Sequence, residues 1–166
     1  KISLPEEKVY LFTAKIPMVM LNEVRSAIES KIEENVPVSP LELTFDYKLI
    51  EHRTEGHLNV VVSALPTIII DMYAELALDS GLSLLSLEIE SQATARALVP
   101  LSSSGAILIV NFDKGKVGLY VVNDLVVHFT STLPLKDKVE SSLDFLSQEI
   151  KKLFVYWHTL KENIDK

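Results

Sequence analysis

Apolar residues follow two rhythms along this chain, and each rhythm predicts its own kind of element. Residues 9–16 are β-branched and aromatic and read as a strand that Pro17 ends. Leu21, Val24, Ile28 and Ile32 then recur at three- and four-residue spacing, the mark of an amphipathic helix. Asn22 is placed to cap it, and Pro37 closes it. Residues 43–52 alternate and residues 58–65 form an apolar run, so with the turn at 53–56 they predict a hairpin. Pro66 suits the first turn of a second helix, whose expected buried stripe is Ile69, Met72, Tyr73, Leu76 and Ala77. Gly81 stops that helix by taking the left-handed conformation cheaply. A strand over 82–89 and a short helix over 91–98 follow, and Pro100 ends the helix.

Ser102-Ser103-Ser104-Gly105 looks flexible and marks a subdomain boundary. Strands are predicted next at 106–112, 117–122 and 125–130, joined by turns at 113–116 and 123–124, which makes a β-meander. One long helix, 137–160, closes the pattern. Its apolar seam runs Val139, Leu143, Leu146, Ile150, Leu153, Trp157, Leu160 in a four-three alternation. The seam fits either a sheet-packing face or a coiled-coil partner; Phe145, Phe154 and Tyr156 widen it and favour the sheet. A helix of about 24 residues spans roughly 36 Å, whereas a strand of about six or seven residues covers only about 20–23 Å. The seam is therefore expected to pack near its start and overrun the sheet at Leu153, Phe154, Trp157 and Leu160. Exposure there implies a homodimer through this helix. Strands and helices mixed in this order indicate a layered α/β (α+β) architecture.

Composition narrows the function classes. The 166 residues are 48% apolar, enough for a real core, and carry 16 basic against 23 acidic side chains, a formal charge of −7. That balance argues against a nucleic-acid partner, which needs a basic patch. The chain has no cysteine, so disulfides and thiolate metal sites are excluded. No apolar run approaches the length of a membrane span. The chain opens on Lys-Ile-Ser-Leu-Pro, without a signal-peptide pattern, and reads as a trimmed piece of a longer protein.

Candidate chemistry is sparse. No serine sits in a Gly-x-Ser-x-Gly elbow, and there is no Walker loop or Gly-x-Gly-x-x-Gly. His52 and His57 flank a turn, but without a third ligand they do not make a metal site. The turn at 111–116 (Asn-Phe-Asp-Lys-Gly-Lys) is the most suggestive segment. A hairpin of this kind can aim backbone N–H groups at a phosphate, and it can equally be a plain hairpin.

The order of these segments resembles the PilM family of type IV pilus assembly proteins, actin-like ATPases related to the cell-division protein FtsA. The entry Lys15-Ile16-Pro17 and the helix from Leu21 to Ile28 resemble the family's strand–proline–helix. Val36-Pro37-Val38-Ser39-Pro40 and Phe45-Asp46-Tyr47 resemble its next loop and strand. Leu85 to Leu98, with an acidic strand end and Ala95-Arg96-Ala97 in an alanine-rich helix, is the nearest match. Ile107 to Phe129 resembles its second phosphate-binding hairpin. The resemblance implies an internal piece of such a protein: an inserted strand–helix–strand–strand subdomain at 1–90, a connecting helix and linker at 91–104, and part of a second actin-like (ribonuclease-H-like) lobe at 105–166.

What the resemblance implies for chemistry is mixed. In the family two lobes clamp a nucleotide; here the first phosphate hairpin would lie upstream of Lys1 and the adenosine pocket downstream of Lys166. The family's hairpin carries Asp, an apolar residue and Gly, with Thr four residues further on; these positions hold Asn111, Phe112, Asp113 and Val117. Asn111 lacks a carboxylate for magnesium, Asp113 sets negative charge and a Cβ in the path of phosphate, and Val117 has no hydroxyl. Asn111, Asp113, Lys114 and Gly115 thus form a degenerate phosphate hairpin. Glu90 matches the family's acidic residue beside the nucleotide and would orient a water in a competent relative; it is also an acid at a helix N-terminus, favoured by the dipole. No cofactor is expected for this chain, with ATP and magnesium possible in the whole protein, and no enzymatic activity is expected. The resemblance implies a cytoplasmic scaffold, peripheral at the inner membrane, that docks the cytoplasmic N-terminal tail of a PilN-like protein. The rival readings are an active ATPase part and an FtsA-like filament former.

Overall fold

A computed structural model describes residues 1–20, 22–54, 56–135 and 139–159. Leu21, Glu55 and Leu160 of the sequence reading lie outside them, as do the side chains of His52 and Val139. The elements run β1 (Ile2–Leu4), β2 (Tyr10–Pro17), α1 (Val24–Asn35), β3 (Leu43–Thr54), β4 (His57–Pro66), α2 (Thr67–Asp79), β5 (Leu87–Ile89), α3 (Glu90–Leu98), β6 (Ala106–Asp113), β7 (Lys116–Asn123), β8 (Val126–Pro134) and α4 (Val139–Thr159). This is the mixed α/β architecture that the apolar rhythms predict.

Strands β2, β4 and β3 form an antiparallel sheet in that order, with β4 at its centre. Alternation assigns one face to α1: Ala14, Ile16, Phe45, Val60, Val62 and Ala64 pack there against Val24, Ile28 and Ile32. The stripe read from spacing is this core, and Ile28 is fully buried. Asn22 does not cap α1: the N-cap residue is Glu23, which makes no side-chain cap bond. Its carboxylate instead accepts from Met20 N–H one turn earlier, at 3.2 Å.

Strands β6, β7 and β8 form a second antiparallel sheet, and helices cover it on both faces. Ile109, Tyr120, Val122 and Val127 meet Ala95 and Val99 of α3. Val117, Leu119 and Val121 meet Leu146, Leu153 and Trp157 of α4. Cover on both sides is why the central strand β7 reads as a continuous apolar run. The register slips between Val121 and Val122, which leaves His128 as an extra residue in β8. The bulge brings His128 against Trp157, ring centroids 5.5 Å apart and edge-on, while Phe129 packs in the same core.

Three expectations need correction. The stripe of α2 is not a core: only Ala77 is buried, and Met72 and Leu76 are 53% and 58% exposed. One face of the β2–β4–β3 sheet is taken by α1 and the other looks toward α3 and β8. Helix α2 is left at the rim, tied at its start by the Thr44–Thr67 hydroxyl pair at 3.0 Å. The strand expected over 82–89 shrinks to Leu87–Ile89, because its parallel partner β1 offers only Ile2–Leu4. Helix α4 packs in the opposite sense to the length argument: Leu143 is 57% exposed, whereas Leu153 and Trp157 are buried. The helix doubles back over β7 and β8, so the exposed far end that implied a dimer is absent at those two residues. Phe154, 63% exposed, does stand free of the core.

Ile28→Asp should abolish cooperative melting of the β2–β4–β3 sheet and α1, because an unpaired carboxylate at a fully buried site costs several kcal/mol. Circular dichroism melts check it; a variant melting within a few degrees of the parent would show that this stripe is not core.

Candidate functional site

Helix α3 sits between the two sheets, and both candidate sites are built around it. Its N-cap residue, Ile89, has no side chain to offer, yet the Ser91 N–H is not left bare. The carboxylate of Glu6, from the 3-10 turn after β1, accepts from it at 3.1 Å. Glu6 is 5% exposed and Ser91 fully buried. Burial pushes the Glu6 carboxyl above the ordinary carboxylate range, while hydrogen bonds from Thr130 and Ser91 pull the other way.

Glu90, the first residue of α3, faces the β6–β7 hairpin. Asn111 Nδ2 donates to Glu90 Oε1 at 3.0 Å, so the sequence-predicted acid and the first hairpin position do come together. Lys116 Nζ completes the cluster, 2.9 Å from Glu7 Oε1 and 3.5 Å from Glu90 Oε2. The hydrogen bond from Lys116 lowers the Glu7 pKa, and the same bond raises that of Lys116. Beneath them Tyr120 lies along its own strand over Gly118, where a Cβ would meet the phenol oxygen at 2.4 Å. Burial raises the Tyr120 pKa.

The remaining hairpin residues stand apart. Asp113, Lys114 and Gly115 are exposed at the tip, and Asp113 Oδ1 accepts from Lys114 N–H at 2.7 Å. That carboxylate occupies a backbone donor of the kind a phosphate would need. Gly115 takes a positive φ of 76°, which the turn requires. Val117 points to the opposite face, into the α4 core, so it does not border the cluster. Sequence reasoning missed Glu6, Glu7 and Tyr120, and it quoted Lys116 without a role. The pairing of Lys116 with Glu7 spans 109 residues, and no local pattern announces it. Among the described residues no group of acids and histidines is arranged to hold a metal.

The second site is a groove of about 580 Å³ on the other side of α3. One wall is the face of the β2–β4–β3 sheet turned away from α1, with Val61, Ser63 and Leu65 of β4 and residues 44–48 of β3. The other wall is β5 and α3, with Ile89, Gln92, Ala95 and Val99, and the β7–β8 turn closes one end. Gln92 Nε2 bridges the floor to Ser63 Oγ at 3.1 Å. Lys48 Nζ reaches the Leu125 carbonyl across that end at 3.5 Å. Leu125 holds a positive φ of 61°, unusual for a side chain of its size. At the rim Arg96 grips Glu88 with two bonds of 2.8 Å, which holds that carboxyl below its usual range. The lining is mostly apolar with a few polar groups, the make-up of a binding cleft.

A carboxyl whose pKa is raised on folding binds its proton more tightly in the native state. The stability it contributes is present at low pH and is lost as pH climbs from the ordinary carboxylate value through the raised one. Glu6→Gln keeps an acceptor for Ser91 and cannot ionise. It should therefore gain on the parent in Tm as pH rises from about 4 to 7. Parallel Tm profiles for the two proteins would show that Glu6 does not titrate at a raised value.

No family model matches the sequence, and no curated protein matches it closely. Solved structures do match. One chain of a structure described as the PilM-PilN type IV pilus biogenesis complex superposes with a TM-score of 0.76 over 94% of this chain, at 16% identity. The cytoplasmic domain of EpsL, an inner-membrane component of the Vibrio cholerae type II secretion system, gives 0.59 over 80%, at 8% identity. A Bacteroides thetaiotaomicron protein with an actin-like ATPase fold gives 0.44 at 11% identity. This chain spans 57% and 49% of the first two chains. No helix among the described residues is long and apolar enough to cross a membrane. In fold, then, the chain is similar to a component of the PilM-PilN pilus complex, as the order of its sequence segments implies.

Proposed function

We propose that this chain is a docking scaffold whose groove beside α3 receives the cytoplasmic tail of a PilN-like inner-membrane protein. The observation that carries the reading is the groove itself: a mostly apolar cleft of about 580 Å³ between the β2–β4–β3 sheet and α3, with Gln92 bridging its floor to Ser63. The fold shared with a structure named as a PilM-PilN complex supports the choice of partner. Charge agrees. Segments on the cytoplasmic side of a membrane span are enriched in lysine and arginine, and a chain of net charge −7 attracts them. The tail loses its freedom on binding, and burial of its apolar side chains offsets that cost. The scaffold would stand at the cytoplasmic face of the inner membrane through this partner.

We propose further that this chain does not use ATP. The place where a nucleotide-binding relative needs free donors and a metal-binding acid is closed by Lys116, Glu7, Glu90 and Asn111, which satisfy one another. Calorimetry with magnesium and ATP should give no dissociation constant below roughly 10 μM, about −7 kcal/mol. Tighter, magnesium-dependent binding would favour the actin-like ATPase reading.

The docking reading is tested with a fluorescein-labelled synthetic peptide of the cytoplasmic tail of a PilN-type protein from the same organism. Anisotropy should report saturable binding that weakens as salt is raised. Ser63→Phe, which fills the groove floor from β4, should weaken it at least tenfold while Tm stays within a few degrees of the parent. Equal affinity in a folded variant would place the peptide elsewhere.

A further inference from the structure

Strand β3 is an edge of its sheet, paired with β4 on one side only. In such a strand alternate residues turn their backbone groups to the partner and to the open side. The Tyr47 N–H identifies which set is which: it donates to Asp46 Oδ1 at 2.9 Å, off the ladder to β4. Tyr47, and with it Phe45 two residues earlier, therefore turns its main chain outward. The side chains of both go into or against the α1 core, away from the groove. Both residues nevertheless line the groove, as do Thr44, Asp46 and Lys48. The inner strand β4 behaves differently. Only its alternate residues, Val61, Ser63 and Leu65, reach the groove. Five consecutive residues at β3 against alternate ones at β4 means that the groove wraps around the β3 edge. What it meets at Phe45 and Tyr47 is main chain.

We infer that the groove takes its occupant by strand addition: a short, extended, neutral-to-basic segment that pairs with the main chain of Phe45 and Tyr47 and lays alternate apolar side chains against Val61, Leu65 and Val99. This rests on the docking reading above and adds how the partner is held. Main-chain pairing supplies affinity, and the pockets for every second side chain supply selection. At about 3.3 Å per residue, β3 residues 44–48 match a paired stretch of about five residues. The Asp46 carboxylate, which now occupies the Tyr47 N–H, is an acidic guard on an open edge. An incoming backbone carbonyl, itself an acceptor, displaces it from that N–H. A basic segment suits both that carboxylate and the chain's charge of −7.

The test uses the same tail peptide, N-methylated at one position at a time, so that each variant loses one backbone donor. Across the paired stretch, methylation at every second position should weaken binding at least tenfold, and at the intervening positions by less than about threefold. On binding, amide exchange followed by NMR should slow at Phe45 and Tyr47. If the parent peptide binds, every methylated form binds equally and these amides do not slow, strand addition is overturned while docking stands. If the parent peptide does not bind at all, the docking reading fails and this inference fails with it.

Discussion

Helix α3 is nine residues long, too short to persist on its own in water, and it begins at a residue that cannot cap it. The buried Glu6 carboxylate, brought by the 3-10 turn after β1, completes its first turn. The arrangement of both sites follows from that contact. Parallel pairing of β1 with β5 delivers the turn, and the turn delivers the acid. Once α3 is held, its Glu90 meets the β6–β7 hairpin on one side and its Gln92 meets the β2–β4–β3 sheet on the other. A carboxylate at a helix N-terminus is favoured by the dipole, and it offsets part of the cost of burying the charge.

The β6–β7 hairpin is tied to its surroundings by side chains on both of its strands. Glycine at 118 lets the Tyr120 ring lie flat along β7 and fill space beneath Asn111. The ammonium of Lys116 stands between Glu7 and Glu90, joining a residue near the chain's start to the first residue of α3. Both carboxylates and the ammonium are partly exposed, so the cluster contributes little raw stability. Its effect is geometric: it fixes the spacing of hairpin, turn and helix.

Much of this was legible in the sequence because the signals were local. The α1 stripe, the β3–β4 hairpin and the meander each combine a clear period with a turn residue within reach. Gly81 was legible too: it takes φ 69° past the end of α2, and the next amide, Leu82 N–H, returns to the Ala77 carbonyl. The reading failed where apolar content did not decide burial. Helix α2 carries a good stripe, but it lies at the rim of the β2–β4–β3 sheet, where its Met72 and Leu76 stay exposed. For α4 the length comparison failed too: the strands run eight to nine residues, longer than the six or seven expected, and the far end of the helix lies on them. Of the candidate site, Glu90 and Asn111 were singled out through the resemblance alone, and their pairing was not foreseen. Their ties to Lys116 and Glu7, and the whole groove, depend on tertiary placement that no period encodes.

The wide separation of those ties has a consequence for the order in which the chain folds. Strands β3 and β4 pair across a short turn, and β6 to β8 follow one another in the same way. These units close small loops and can form early. The Glu6–Ser91 bond closes a loop of 85 residues, and Lys116–Glu7 one of 109. Contacts of that span become affordable only after the segments between them have condensed. The two sheets should therefore be in place before the first eight residues dock. On a ribosome Glu7 emerges long before the β6–β7 hairpin, and its bond must wait until Lys116 has been made.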